Sequence, residues 1–140
     1  MEICQLASIW SDGINSQRPL EVLLNGFGCS LLSGLEAAIV SLRDAGCKRL
    51  YVDGSFVTTK VVPNDYDVAW EPAGVDLQRL KLIEPVFFDF RNFRAAQKAK
   101  YFGEFFPSSA AADPVGNTFL EFFQIDKNTG SAKGIVALDL

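Results

Sequence analysis

Residues 50–70, LYVDGSFVTTKVVPNDYDVAW, contain two apolar segments separated by a Gly54-Ser55 pair and a nine-residue spacer. The second segment begins with Asp65 and Asp67, which flank a tyrosine. Because successive side chains of a β-strand point to opposite faces, both carboxylates are predicted to lie on one face, about 6.5–7 Å apart. The side chains that alternate with them are predicted to face a core. The stretch therefore predicts two strands, the second of which carries a pair of carboxylates.

The paired carboxylates indicate a site for a divalent cation. Like charges this close resist double ionisation, and a hard cation relieves their repulsion. Mg²⁺ is typically held by one or two carboxylates together with substrate phosphates. Gly54 has no Cβ and lets the backbone approach a bound group closely, while Ser55 offers a hydroxyl and an N–H to phosphate oxygens. The alternative is a strand with two solvent-facing aspartates after a Pro63-Asn64 turn.

The pattern resembles the signature of the polymerase-β-type nucleotidyltransferase superfamily: an apolar residue, Gly, Gly or Ser, a short spacer, then two acidic residues around an apolar one. Gly54, Ser55, Asp65 and Asp67 match it. Most of residues 35–140 also look like small bacterial nucleotidyltransferase-like proteins associated with toxins and defence. The resemblance implies an α/β (α+β) nucleotidyltransferase fold, with a mixed β-sheet and helices packed mainly on one face.

The resemblance also implies roles for particular residues. Asp65 and Asp67 would be catalytic and would bind the metal, Mg²⁺ or Mn²⁺, while Gly54 and Ser55 would bind the nucleotide phosphates. Lys60, in the spacer, either reaches the triphosphate as a mobile point charge or is an ordinary solvated lysine.

Superfamily enzymes carry a third carboxylate on a later, neighbouring strand. Glu104 occupies that place in chain order, within the segment YFGEFFP, although the commoner residue there is Asp. It is the predicted third catalytic and metal-binding residue. Asp89, a carboxylate in an apolar stretch, is the second candidate, and a site without a third ligand is the other alternative.

Composition bounds the remaining possibilities. The 140 residues, 49% of them hydrophobic, predict a single domain over residues 1–140, with residues 1–17 as an N-terminal arm. The net charge of −4 argues against broad non-specific nucleic-acid binding. The absence of histidine excludes Ser-His-Asp catalysis and histidine–zinc sites. Three scattered cysteines and the lack of an apolar run of about 20 residues predict a cytoplasmic protein without a membrane contact.

Periodicity and turn residues predict the other elements. The predicted helices span residues 30–45, 75–82, 93–100 and 119–123, and the predicted strands span residues 48–52, 65–70, 101–107 and 134–140. Ser30 is the predicted N-cap of the first helix, Gly46 its C-terminal stop, and Asn92 the cap of the third. Residues 86–90 are extended and ambiguous between strand and loop.

A basic ridge is predicted on the third helix. Arg91, Arg94 and Lys98 recur at spacings of three and four residues and so share one side of it. The ridge either is solvated or faces a phosphate of a nucleotide or RNA.

Three functions follow as hypotheses. The first is a metal-dependent nucleotidyltransferase that moves an NMP from an NTP to an acceptor hydroxyl on the 3′ end of a tRNA or on a protein side chain. The second is a weakly active or inactive nucleotide- or partner-binding module of a toxin–antitoxin or phage-defence system, with an antitoxin or a second copy of the chain as partner. A purely structural protein is the third, and it leaves the Gly-Ser and Asp-x-Asp placement unexplained.

Overall fold

The computed structural model describes residues 27–53 and 65–140. Its helices are α1 (Phe27–Asp44), α2 (Leu77–Ile83), α3 (Arg91–Tyr101) and α4 (Phe119–Phe123), and Pro85–Phe88 forms a 3-10 helix. Its strands are β1 (Arg49–Asp53), β2 (Tyr66–Trp70), β3 (Gly103–Pro107) and β4 (Val136–Asp139). The predicted N-terminal arm, residues 1–17, lies outside the described residues.

The four strands form one mixed sheet in the order β3-β2-β1-β4. β1 pairs in antiparallel fashion with both β2 and β4, whereas β2 and β3 are parallel. A parallel pair needs a crossover connection, and here α2, the 3-10 helix and α3 supply it. The predicted mixed α/β architecture is therefore confirmed.

One face of the sheet carries the main hydrophobic core. Side chains alternate along the strands as predicted, so that Tyr66, Val68 and Trp70 are buried on the same side of β2. They share a core with apolar residues of α1, α2, the 3-10 helix and α3. The other face carries a smaller cluster around Ala69 and Phe106, which α4 covers. Most of the helical mass therefore packs on one face, and part of the opposite face is left for polar groups.

Helix α1 follows its predicted apolar stripe but starts earlier than predicted. Leu35, Ile39 and Leu42 are fully buried at helical spacing. The helix begins at Phe27, so Ser30, the predicted N-cap, lies inside it. Gly46, with a φ of 96°, follows its end in the left-handed region, where glycine is favoured.

The segment between α2 and β3 departs most from the prediction. Residues 85–88 form a 3-10 helix instead of an extended segment. Helix α3 begins at Arg91, so Asn92 lies within it and not at its cap, and positive φ angles of 49° to 59° at residues 92–94 make its first turn left-handed. Tyr101 belongs to this helix and not to the following strand. The apolar pattern of this segment fits a helix face and a strand equally well, which explains the error.

A buried glutamine fixes α3 against β3. The Gln97 side chain, fully buried, donates hydrogen bonds to the carbonyls of Val86 and Phe87 and accepts one from the N–H of Phe105. These bonds tie α3, the 3-10 helix and β3 together. They bring the last turn of α3 next to the start of β3, where the candidate site lies.

Gly103, the first residue of β3, is required by close packing. A Cβ at this position would lie 2.5 Å from the Tyr66 ring, far inside van der Waals contact. The Tyr66 hydroxyl in turn donates a hydrogen bond of 2.5 Å to the carbonyl of Tyr101. The glycine therefore lets β2 and the end of α3 approach each other. Within the described residues, none of the helices has the length and apolar character needed to cross a membrane.

Candidate functional site

Three carboxylates lie side by side across three neighbouring strands. Asp53 on β1 is the register partner of Asp67 on β2, and Asp67 is also the register partner of Glu104 on β3. Directly opposite residues share a face, and their Cβ atoms lie about 4.5–5.5 Å apart. We call Asp53, Asp67 and Glu104 the acidic row. Like charges in this arrangement destabilise a sheet. The acidic row therefore lowers the stability of the fold, and a structural role alone does not account for it.

The acidic row opens into a cavity of about 410 Å³. This volume is in the range of small-molecule sites, about 300–1,000 Å³. Its lining combines two carboxylates of the row, those of Asp67 and Glu104, and the carboxylate of Asp65 with two lysines and one exposed aromatic ring. The lining residues are Asp65, Tyr66, Asp67, Lys98, Phe102, Gly103, Glu104 and Lys127.

Asp67, at the centre of the row, has a strongly perturbed acidity. Burial and the negative charges of Glu104, Asp65 and Asp53 raise the pKa of Asp67 from 3.8 to about 7, and Lys127 lowers it. Removing a carboxylate from water disfavours its charged form, and neighbouring carboxylates add to that effect. Such a perturbed group in a cleft is typical of functional sites.

Two lysines neutralise the outer members of the row. The ammonium of Lys98 lies 2.9 Å from Oε1 of Glu104. The ammonium of Lys133 lies 2.9 Å from Oδ1 of the buried Asp53 and donates a hydrogen bond to Oδ2 at 3.2 Å. The central carboxylate, Asp67, has no such pair in the described part of the chain.

A third lysine faces the cavity without an ion pair. Lys127 lines the cavity, and no carboxylate of residues 27–53 or 65–140 lies within ion-pair distance of it. Its ammonium is 6.0 Å from the centre of the Phe122 ring. Lys127 therefore has a positive charge available for an anionic ligand.

The structure brings together three of the predicted site residues. Asp65, Asp67 and Glu104 line the same cavity. Asp89, the second candidate for the third carboxylate, is paired with Arg91 at 2.7 Å and lines a separate depression. Asp89 therefore is not the partner of the two aspartates in this structure.

The predicted nucleotide-binding residues, Gly54, Ser55 and Lys60, lie outside the described residues. Gly54 directly follows Asp53, the last residue of β1. The Gly-Ser pair is therefore attached in sequence to one end of the acidic row.

Four residues at the site escaped the sequence analysis. Asp53 could have been predicted, because antiparallel pairing of the two predicted strands places it opposite the Asp-x-Asp segment. Lys127 and Lys133 lie in the loop after α4, and Phe102 follows α3. Nothing local in the sequence connects these three with carboxylates that are distant along the chain.

The predicted basic ridge is divided among different partners. Arg91 pairs with Asp89, and Lys98 pairs with Glu104. The guanidinium of Arg94 lies 4.1 Å from the centre of the Phe106 ring, a favourable cation–π distance. The three side chains therefore do not present one continuous basic surface.

The oxygen donors of the site are of the type that a hard cation binds. Carboxylate oxygens are the ligands that Mg²⁺ prefers. Burial and three neighbouring carboxylates raise the pKa of Asp67, and a nearby cation would oppose both effects. In residues 27–53 and 65–140, no three acidic, cysteine or histidine side chains are arranged to hold a metal ion. Two carboxylates of the row face lysine ammonium groups instead.

Comparison with known proteins identifies a family. Residues 29–139 match the model of a family of unknown function, DUF6932. The chain belongs to this family, because the match covers most of its length. No curated protein matches the chain, and no solved structure does.

Proposed function

We propose that this member of a family of unknown function is a metal-dependent nucleotidyltransferase, which moves a nucleoside monophosphate from an NTP to an acceptor hydroxyl. The observation that carries the proposal is the acidic row beside Asp65, with a central carboxylate of raised pKa, at a cavity whose lining includes Lys127, a lysine with no ion pair in the described part of the chain. A triphosphate requires both features: carboxylates that hold its cation and a positive charge for its oxygens.

Asp65, Asp67 and Glu104 would hold Mg²⁺ or Mn²⁺. When bound, the metal supplies charge that neutralises the phosphates and stabilises the attacking and leaving oxygens of an in-line displacement. Asp67 lies at the centre of the acidic row, where a bound cation would favour the ionised carboxylate that burial and the neighbouring carboxylates disfavour. Asp53, held by Lys133, adds negative charge to the same row without lining the cavity.

The protein side chains have separate roles in the transfer. Lys127 contacts the triphosphate from the loop after α4, and Gly54 and Ser55, with Lys60 in the following spacer, bind its outer phosphates. Glu104 accepts the proton of the acceptor hydroxyl. The acceptor oxygen then bonds to the α-phosphorus, and pyrophosphate leaves. Catalysis of this kind depends almost entirely on positioning and electrostatic stabilisation.

The acceptor is the 3′ end of a tRNA or a hydroxyl side chain of a protein. The reaction takes place in the cytoplasm, where NTPs and Mg²⁺ are abundant. An antitoxin or a second copy of the chain is the proposed protein partner.

The transfer itself is tested with α-³²P-labelled NTPs, Mg²⁺, and either tRNA or a co-expressed partner protein as acceptor. We expect label on the acceptor with the wild-type protein and none with Glu104→Gln, although the variant still binds NTP. In this proposal Asp65 and Asp67 retain the metal and the triphosphate, and Glu104 serves mainly the acceptor, so its loss lowers turnover more than ground-state affinity. NTP binding without label on either acceptor would identify the protein as the binding module instead.

Replacing Lys127 with methionine is expected to weaken Mg²⁺-dependent ATP binding by about 10- to 100-fold, because a hydrogen bond to a charged group contributes about 1.5–3 kcal/mol. Isothermal titration calorimetry measures the change. Lys127→Arg should retain most of the affinity. Lys81→Met, a lysine change on α2 away from the cavity, is the control and should bind ATP like the wild type. Equal affinity of Lys127→Met and Lys81→Met would remove Lys127 from the site.

A further inference from the structure

Phe102, which caps the end of α3, has an unusual backbone. Its φ of 61° and ψ of 23° are left-handed, and its N–H bonds to the carbonyl of Lys98. Glycine is the usual residue at such a helix end, and for a bulky residue the conformation is a genuine outlier. Gly103, the next residue, has no positive φ. The strain at the end of α3 therefore falls on the phenylalanine.

The side chain of Phe102 is equally unusual. It remains 44% exposed and lines the cavity beside Asp67, Glu104 and Lys127. Tyr66, the other aromatic residue in the lining, is buried in the core. An exposed apolar ring in a strained conformation contributes little to folding. Strained residues persist where the surroundings require them, and they cluster at ligand sites.

We propose that Phe102 is the stacking surface for the nucleobase of the bound nucleotide. The inference rests on the proposed function, in which Asp65, Asp67, Glu104 and Lys127 of the same cavity take the cation and the phosphates. Phe102 and Glu104 are two residues apart, at most about 7 Å along the chain, so one nucleotide can touch both. An aromatic base offers the flat face that an exposed ring stacks on.

Stacking implies a particular base preference. Every base has a π-face, so a site that recognises the base by stacking accepts all four NTPs and discriminates by stacking strength. We therefore expect ATP and GTP to bind somewhat more tightly than CTP and UTP.

The test compares Phe102→Gly with Phe93→Gly in the full-length protein. Phe93, in the first turn of α3, is a matched control, because it is also a phenylalanine with left-handed backbone, is 86% exposed and does not line the cavity. Glycine relieves the strain in both variants, so neither should melt below the wild type. Only Phe102→Gly should lose affinity for Mg²⁺-ATP, by about 5- to 100-fold, and Phe102→Trp should retain it.

Tripolyphosphate with Mg²⁺ separates base recognition from phosphate recognition. We expect Phe102→Gly to bind tripolyphosphate as the wild type does. Equal ATP affinity in Phe102→Gly and the wild type would overturn the role of Phe102 and leave the proposed function intact. If Phe102→Gly lost equal affinity for ATP and for tripolyphosphate, the stacking role of Phe102 would also be overturned, because the ring would then only shape the cavity. A wild-type protein that binds neither ATP nor tripolyphosphate would overturn both proposals.

Discussion

Replacing Asp67 with asparagine is expected to lower nucleotidyl transfer by at least about 100-fold and, at pH 8, to stabilise the metal-free protein. Loss of a hydrogen-bond partner of a metal ligand already costs about 10–100-fold in activity or metal affinity, so loss of the central carboxylate costs at least as much. Stability rises because the neutral amide removes a half-buried charge next to Glu104, Asp65 and Asp53. The two effects have opposite signs, which an unfolded or damaged variant would not show.

The stability effect has a defined pH dependence. Because the pKa of Asp67 is raised from 3.8 to about 7, the folded protein keeps a proton that the unfolded chain releases. This contribution to stability is complete below about pH 4, falls as pH rises, and is gone above about pH 7. Between pH 4 and pH 8, the free energy of unfolding of the wild type should therefore fall by about 2–4 kcal/mol relative to that of Asp67→Asn.

Urea unfolding in EDTA at both pH values measures the difference between the two proteins. A constant difference across this range would show that folding does not raise the pKa of Asp67. It would contradict the crowding of charge in the acidic row.

Replacing Lys133 with methionine is expected to destabilise the protein by about 2–4 kcal/mol at pH 7. The Asp53 side chain is only 4% exposed, and the Lys133 ammonium is its counterion. Removing one partner of a buried ion pair leaves an uncompensated charge, which is strongly destabilising. Chemical denaturation measures the loss.

Lys98→Met provides the matched control for this effect. Lys98 and Glu104 form a more exposed pair, so its loss should cost no more than about 1 kcal/mol. The double variant Asp53→Asn/Lys133→Met should recover most of the stability, because no unpaired charge is left. A double variant as unstable as Lys133→Met would show that the lysine acts through its packing and not through its charge.

Local patterns predicted the face of the sheet that carries the site. The alternation in DYDVAW was enough to predict that Tyr66 and Val68 are buried and that Asp65 and Asp67 lie on the opposite face. This is so because the period of a strand is a local property. Glu104 was predicted from chain order within the resemblance, and its register opposite Asp67 agrees with that order. The assignment of metal and nucleotide to these residues stays a prediction.

The counterions of the site were not predictable from local patterns. Lys133 pairs with a carboxylate 80 positions earlier in the chain, and the loop that holds it has no periodicity. Phe102 was assigned to a strand, because the aromatic segment YFGEFFP was predicted to form one. In the structure the helix extends through Tyr101, and Phe102 is its cap, while the tertiary bonds of Gln97 hold α3 against β3.

The most direct measurement of the proposed site is a calorimetric titration of the wild-type protein with ATP, in Mg²⁺ and again in EDTA. We expect binding in Mg²⁺ and none in EDTA, and we expect the variant Asp65→Asn/Asp67→Asn to remain folded and to bind in neither condition. Equal ATP affinity with and without Mg²⁺, or equal affinity of the wild type and the double variant, would contradict a nucleotide site built on these carboxylates.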